Sequence, residues 1–84
     1  MPLTNLKVQK AKPQARQYKL ADERGMYLLI HPKGGKYWRL DYRFEGRRKT
    51  LAIGTHPETS LKEARKKRDR ARSDIEDGID PSGH

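Results

Sequence analysis

Cysteine is absent from this sequence, which excludes a disulfide framework, a thiolate metal site and a cysteine nucleophile, and fits a reducing compartment. Also missing is any apolar run near the roughly 20 residues needed to span a bilayer. The opening stretch, Met1 to Lys10, lacks the apolar segment of a secretory signal, so neither membrane nor secretion is expected. Hydrophobic residues make up only 32% of the 84-residue chain and charged residues 37%, so any core must be small, built from one sheet and one helix in a single domain over residues 1–84. That length leaves no room for a catalytic domain beside it. His31, His56 and His84 stand in a turn, a loop and the terminus without metal-ligand spacing. No glycine-rich phosphate loop precedes a helix, because Gly34 and Gly35 lie between two expected strands. Ser60 is better explained as a helix cap than as a nucleophile. Neither catalytic residues, nor a metal, nor a cofactor is expected.

What the chain does have is positive charge. Its formal net charge is +9, and clustered Lys and Arg gain free energy by displacing counterions condensed on a polyanion, so nucleic acid is the expected partner. Acidic residues are missing altogether from Met1 to Leu20, where Lys7, Lys10, Lys12, Arg16 and Lys19 stand with Pro2 and Pro13. This stretch reads as an extended basic lead over residues 1–16, closing in a short strand near Tyr18 to Leu20. A turn at Asp22 to Gly25 follows.

Three antiparallel strands then make up the expected sheet within residues 17–54. Met26 to His31 is the first, and Pro32 to Gly35 its turn. Lys36 to Phe44 is the second, with Trp38, Leu40, Tyr42 and Phe44 alternating against Tyr37, Arg39, Asp41 and Arg43. Glu45 and Gly46 fit a two-residue hairpin loop, and Arg47 to Gly54 returns with Leu51 and Ile53 on the apolar face. Ser60 with Glu63 three residues on is a capping box, predicting a helix over residues 60–77. Leu61, Ala64, Arg68, Ala71 and Ile75 form its stripe, Arg68 through its aliphatic stem. Gly78 and Pro81 end it, leaving residues 78–84 as an exposed tail. The fold class is therefore α+β, a three-stranded antiparallel sheet packed on one carboxy-terminal helix.

Alternation places Tyr37, Arg39, Asp41 and Arg43 on the face away from the core, beside Arg48 and Thr50. A narrow sheet of this kind can enter the major groove, where Arg reads guanine bidentately and Thr meets a base edge or thymine methyl; Asp41 could accept from cytosine N4 or orient a guanidinium. The same pattern also describes an ordinary solvated sheet face. Lys33, Lys36, Arg47 and Lys49 fall at strand ends and turns, where they would meet phosphates. The helix carries a near-balanced mixture of charges and is not assigned to the groove.

The run Gly25 to Ile30, then Gly34-Gly35-Lys36-Tyr37-Trp38-Arg39, Tyr42-Arg43, Gly46-Arg47-Arg48-Lys49, Gly54, Pro57, Ser60-Leu61 and Ala64-Arg65 resembles the amino-terminal domain of P4-type phage and prophage integrases. Gly78, Asp80 and Pro81 match the place where that domain hands over to the next, so the resemblance runs from Leu3 onward. It implies a small antiparallel sheet backed by a helix, binding of double-stranded DNA at arm-type sites, and a bacterial cytoplasmic, nucleoid-associated location. The enzyme it implies is a tyrosine recombinase whose catalytic set lies in a later domain. Other integrase subunits and architectural DNA-bending proteins are implied partners. Asp41 and His56 depart from the family pattern, in which a basic or polar residue and a tyrosine are common at those places. Two further readings stay open. An RNA-binding basic domain would need exposed aromatics such as Tyr37 and Tyr27 for stacking. A protein-interaction module would use helix residues such as Lys66 and Arg70.

Overall fold

Period-two alternation before Gly54 and a helical stripe after Ser60 are realised as two layers in a computed structural model of the chain, which describes residues 2–82. The elements in order are α1 (Asn5–Lys10), β1 (Tyr18–Ala21), β2 (Met26–Ile30), β3 (Lys36–Phe44), β4 (Arg47–His56) and α2 (Leu61–Glu76). One antiparallel sheet of four strands runs β1-β2-β3-β4.

The expected three-stranded sheet is thus corrected to four. The short strand at the end of the lead does not stand apart; it pairs with β2 from Tyr18↔Ile30 to Ala21↔Tyr27. Tyr18 and Leu20 pack against the core while Lys19 and Ala21 face outward. Two apolar residues are a weak signal on their own. The pairing is closed by a turn in which Arg24 (φ 58°) and Gly25 (φ 85°) are both left-handed, so that Gly25 O lies 3.0 Å from the Asp41 N–H that donates to it.

The lead is not extended either. Thr4 caps α1 by accepting the Lys7 N–H at 3.2 Å, and Leu3 and Val8 are buried in the core. At the other end of α1, the Lys36 ammonium donates to Val8 O at 2.8 Å and Gln9 O at 3.3 Å, satisfying carbonyls that so short a helix leaves unpaired. Burial of Val8 and this distant lysine hold a turn of helix that local propensity alone would not support.

The β3–β4 turn is as the sequence requires, with Glu45 (φ 51°) and Gly46 (φ 77°) both left-handed, the type I′ geometry whose twist matches its strands. Register runs Phe44↔Arg47, Arg43↔Arg48, Tyr42↔Lys49, Asp41↔Thr50 and Leu40↔Leu51, then shifts between Trp38 and Arg39 so that Ile53 is the extra residue of a bulge. Because β2 pairs with β3 only as far as Leu40, the rest of β3 and β4 projects beyond the four-stranded region as a two-stranded ribbon.

Trp38 anchors the core. It is fully buried, and its indole N–H donates to Thr59 O at 2.8 Å. Gly54, opposite Trp38, leaves room for the Thr59 side chain, which a Cβ at Gly54 would strike. Beyond Thr59, the Ser60 hydroxyl accepts the Glu63 N–H at 3.2 Å and lies 3.3 Å from the Glu63 carboxylate, the predicted cap. Ser60→Ala is expected to cost about 1 kcal/mol of stability, read as a lower denaturant midpoint at unchanged slope. The helix ends in a Schellman motif: Gly78 N–H donates to Ile75 O at 3.1 Å and Ile79 N–H to Asp74 O at 2.8 Å, with Gly78 at φ 79°.

Three further expectations are revised. Arg68 does lie in the buried stripe, but its guanidinium is buried with its stem: it donates to Asp22 Oδ2 at 3.1 Å and to Glu23 O at 3.2 Å. Asp22, read as an ordinary turn residue, is a fully buried carboxylate that also accepts Arg65 Nε at 3.0 Å, Arg65 Nη2 at 2.9 Å and the Leu3 N–H at 2.8 Å. Nor is the tail free from Gly78 onward. Asp80 folds back onto the ribbon, accepting the Tyr42 hydroxyl at 2.5 Å and pairing with Lys49. Residues 83 and 84, including His84, lie outside the described residues.

Candidate nucleic-acid interface

The outer sheet face is assembled by register from every strand. Lys19 of β1 and Tyr27 and Leu29 of β2 lie beside Tyr37, Arg39, Asp41 and Arg43 of β3, which in turn face Arg48, Thr50 and Ala52 of β4. The predicted base-reading candidates Tyr37, Arg39, Asp41, Arg43, Arg48 and Thr50 therefore share one surface, with α2 on the opposite side. Arg43 and Arg48 are directly opposite each other, exposed, and without an ion pair among the described residues. Like charges at opposed positions repel, so this end of the ribbon carries a cost that a polyanion lying across it would offset.

Asp41 sits amid this charge and is held from two sides. Thr50 Oγ1 donates to its Oδ1 at 2.8 Å and the Tyr27 hydroxyl at 3.2 Å. Partial burial and the neighbouring Asp41 carboxylate push the Tyr27 phenol above its ordinary value, which keeps it a neutral donor. Lys19 Nζ lies 4.6 Å from the centroid of the Tyr27 ring, and the Arg39 guanidinium 5.8 Å from that of Tyr37, cation–π contacts that splay the charges outward over aromatic supports. Gly35 lets Tyr37 fold back over the preceding turn, since a Cβ there would lie 2.7 Å from its ring. A groove of about 580 Å³ wraps the edge of the ribbon, lined by Lys19, Asp41, Arg43, Arg48 and Thr50 of the outer face and by Tyr42, Lys49 and Arg72 of the helix side.

The phosphate candidates divide. Lys33, in the β2–β3 turn, and Arg47, at the ribbon tip, are exposed and without ion pairs among the described residues. Lys36 is engaged with the α1 carbonyls. Lys49 points to the helix side of the ribbon and is bound to Asp80; that hydrogen bond raises the ammonium above its ordinary value and, led by the same contact, the carboxyl of Asp80 is held far below the usual carboxylate range. A sorting of the cations by partner results: among the described residues Arg24, Lys49, Arg65 and Arg68 are ion-paired to Asp22, Asp69 or Asp80, whereas the cations of the outer face have no ion pair.

Lys19 was not foreseen at this surface. Its signal lay in the alternation of Tyr18, Lys19, Leu20 and Ala21, legible only once β1 is known to join the sheet. Arg72 was missed as well: its guanidinium donates to Arg24 O at 3.0 and 2.5 Å and reaches Asp41 O at 3.4 Å, tying α2 to the turn and the start of the ribbon.

Residues 3–84 match the family described as arm DNA-binding domain. The chain is similar to the prophage integrase IntZ of Escherichia coli K12, 45% identical over 95% of this chain and 20% of the relative. It is also similar to the integrase of Enterobacteria phage P4, 45% identical over 96% of this chain and 19% of that protein. A third relative, the integrase of Shigella phage Sf6, is 43% identical over 94% of the chain. The chain spans about a fifth of the length of these integrases.

Proposed function

The chain belongs to the arm DNA-binding domain family of phage and prophage integrases, and from that premise we propose that it binds double-stranded DNA sequence-specifically at arm-type sites flanking a crossover region. In this reading it is a non-catalytic part of a tyrosine recombinase, serving integration and excision together with other subunits and DNA-bending proteins. The observation that carries the reading is the opposed, uncompensated pair Arg43 and Arg48 on a projecting ribbon. Two strands about 4.8 Å apart fit within a major groove roughly 12 Å wide. Arg39, Arg43 and Arg48 then reach guanine edges, Thr50 a base edge or methyl, and Asp41 a cytosine amino group, while Tyr37 props Arg39.

Lys33 and Arg47 meet the flanking phosphates. Lys36 keeps its place as the α1 cap, and Lys49 reaches a phosphate only by leaving Asp80. An RNA reading is less well supported, because the faces of Tyr27 and Tyr37 are already covered by Lys19 and Arg39, which leaves little platform for stacked bases.

The test is a salt-titrated competition between duplex carrying attachment-site flanks and a scrambled duplex, with single-stranded RNA as a third arm. Preference for the flanks that persists at physiological salt supports the proposal. Equal, steeply salt-sensitive binding reduces it to polyanion affinity, and RNA preference overturns it. In the same assay Lys33→Ala is expected to weaken all duplexes alike and make the salt slope shallower by about one. A loss confined to one base pair would contradict the phosphate role.

A further inference from the structure

Among the described residues the exposed large hydrophobic side chains are Leu6 and Ile79, 59% and 55% exposed. Leu6 sits among basic side chains, whereas Ile79 follows an acidic segment. Leu6 lies with Ala11, Tyr18 and Leu20 in an apolar cleft of about 390 Å³ between α1 and β1, rimmed by Lys7, Lys10 and Lys12 with no carboxylate in its lining. Ile79 follows the exposed Glu76 and Asp77 at the end of α2, and neither of those carboxylates has an ion pair among the described residues.

The two patches cannot meet within one copy. The cleft belongs to the end of the sheet where Lys36 holds α1, and Ile79 to the end where Asp80 is bound to Tyr42. Those anchor points are separated by roughly 20 Å along β3 at about 3.3 Å per residue. Both patches also avoid the outer sheet face: the cleft is floored by Tyr18 and Leu20, the residues of β1 that pack toward the core.

We propose that the cleft beside α1 receives residues 76–79 of a second copy, Ile79 entering against Leu6 and Leu20 while Glu76 and Asp77 meet Lys7, Lys10 and Lys12. The contact is heterologous, so it joins copies head to tail instead of closing a symmetric pair. It is small and transient in class, and the net charge of +9 opposes it, but at physiological salt charges farther apart than a Debye length of about 8 Å are largely screened, so the opposite charges in contact outweigh the overall repulsion. It leaves the outer sheet face of every copy free, and it does not depend on what that face binds.

Carbodiimide cross-linking of an equal mixture of isotopically light and heavy chain tests it, since this reagent forms an amide only between a carboxylate and an amine in contact. The expected result is a ladder of oligomers whose mixed-isotope cross-links join Lys7, Lys10 or Lys12 to Glu76 or Asp77. The charge-reversed variants Lys7→Glu with Lys12→Glu, and Glu76→Lys with Asp77→Lys, change exposed residues; each is expected to lose the ladder alone and to regain it when the two are mixed. A chain that stays monomeric, whether or not some other acidic protein occupies the cleft, overturns the proposal. So do intermolecular cross-links spread over all exposed lysines, or variants whose mixture gives no recovery.

Discussion

Asp22→Ala is expected to lower the unfolding free energy by about 3–5 kcal/mol, the cost of removing one partner of a buried ion pair and leaving the other charged. The carboxylate is fully buried and joins Arg65, Arg68 and the Leu3 N–H, so its loss leaves the buried Arg68 guanidinium with only the half-exposed Asp69 carboxylate as an ion-pair partner and loosens α2, the β1–β2 turn and the amino-terminal segment together. Against a domain stability of roughly 5–15 kcal/mol, this is enough to unfold much of the population. Denaturant titration measures it, and a loss below 1 kcal/mol would show the network to be dispensable. Asp22→Ala combined with Arg68→Met is expected to be more stable than Asp22→Ala alone, because the buried charge is removed with its partner and only the more exposed Arg65 is left unpaired.

The same network makes stability pH-dependent. Burial raises the Asp22 carboxyl, but hydrogen bonds from Arg65 and Leu3 with the charge of Arg65 outweigh it, and the folded group titrates below its ordinary value of 3.8. An unfolded chain therefore takes up this proton first. The contribution of Asp22 is fully present above 3.8 and is lost as pH falls through the lower folded value. Wild type should lose stability faster than Asp22→Asn as pH drops below 4.

Arg39→Ala together with Arg48→Ala is expected to weaken binding to a duplex carrying its preferred site by roughly 2–6 kcal/mol and to flatten discrimination against scrambled duplex. An arginine that reads a base contributes about 1–3 kcal/mol, and Arg48, opposite Arg43, stands four residues along β3 from Arg39, roughly 13 Å at about 3.3 Å per residue and far enough for their effects to add. Neither takes part in the ion pairs that hold α2, so the variant should unfold at or slightly above the wild-type denaturant midpoint, Arg48→Ala relieving the repulsion with Arg43. Unchanged preference for the specific duplex would remove both residues from base reading and leave the surface an ordinary solvated sheet.

Much of this architecture is legible in the residues. The type I′ turn at Glu45 and Gly46, the alternation of β3, the Ser60 cap and the Gly78 stop each depend on neighbours within a few positions, and each stands where the sequence places it. The shared face of Tyr37, Arg39, Asp41 and Arg43 is legible for the same reason, since a strand has only two sides. The resemblance extending from Gly25 to Ala64-Arg65 adds the family.

Other features lie beyond local reading. Tyr18 to Ala21 becomes a fourth strand because β2 offers an edge and Asp22, some 40 positions from Arg65 and Arg68, fixes the turn beside it. α1 forms because Lys36 reaches its carbonyls and Val8 finds the core. Lys36 and Lys49 look like free cations in sequence, and only packing shows them bound to α1 and Asp80.

By itself, then, the sequence determined the faces of β2 to β4, the turns, the limits of α2 and the excess of positive charge, because periodicity, left-handed backbone and capping are satisfied by adjacent residues. The tertiary structure decided which cations are neutralised and which remain open, because ion pairing inside a fold joins residues from separate elements, and no pattern of spacing along the chain records it.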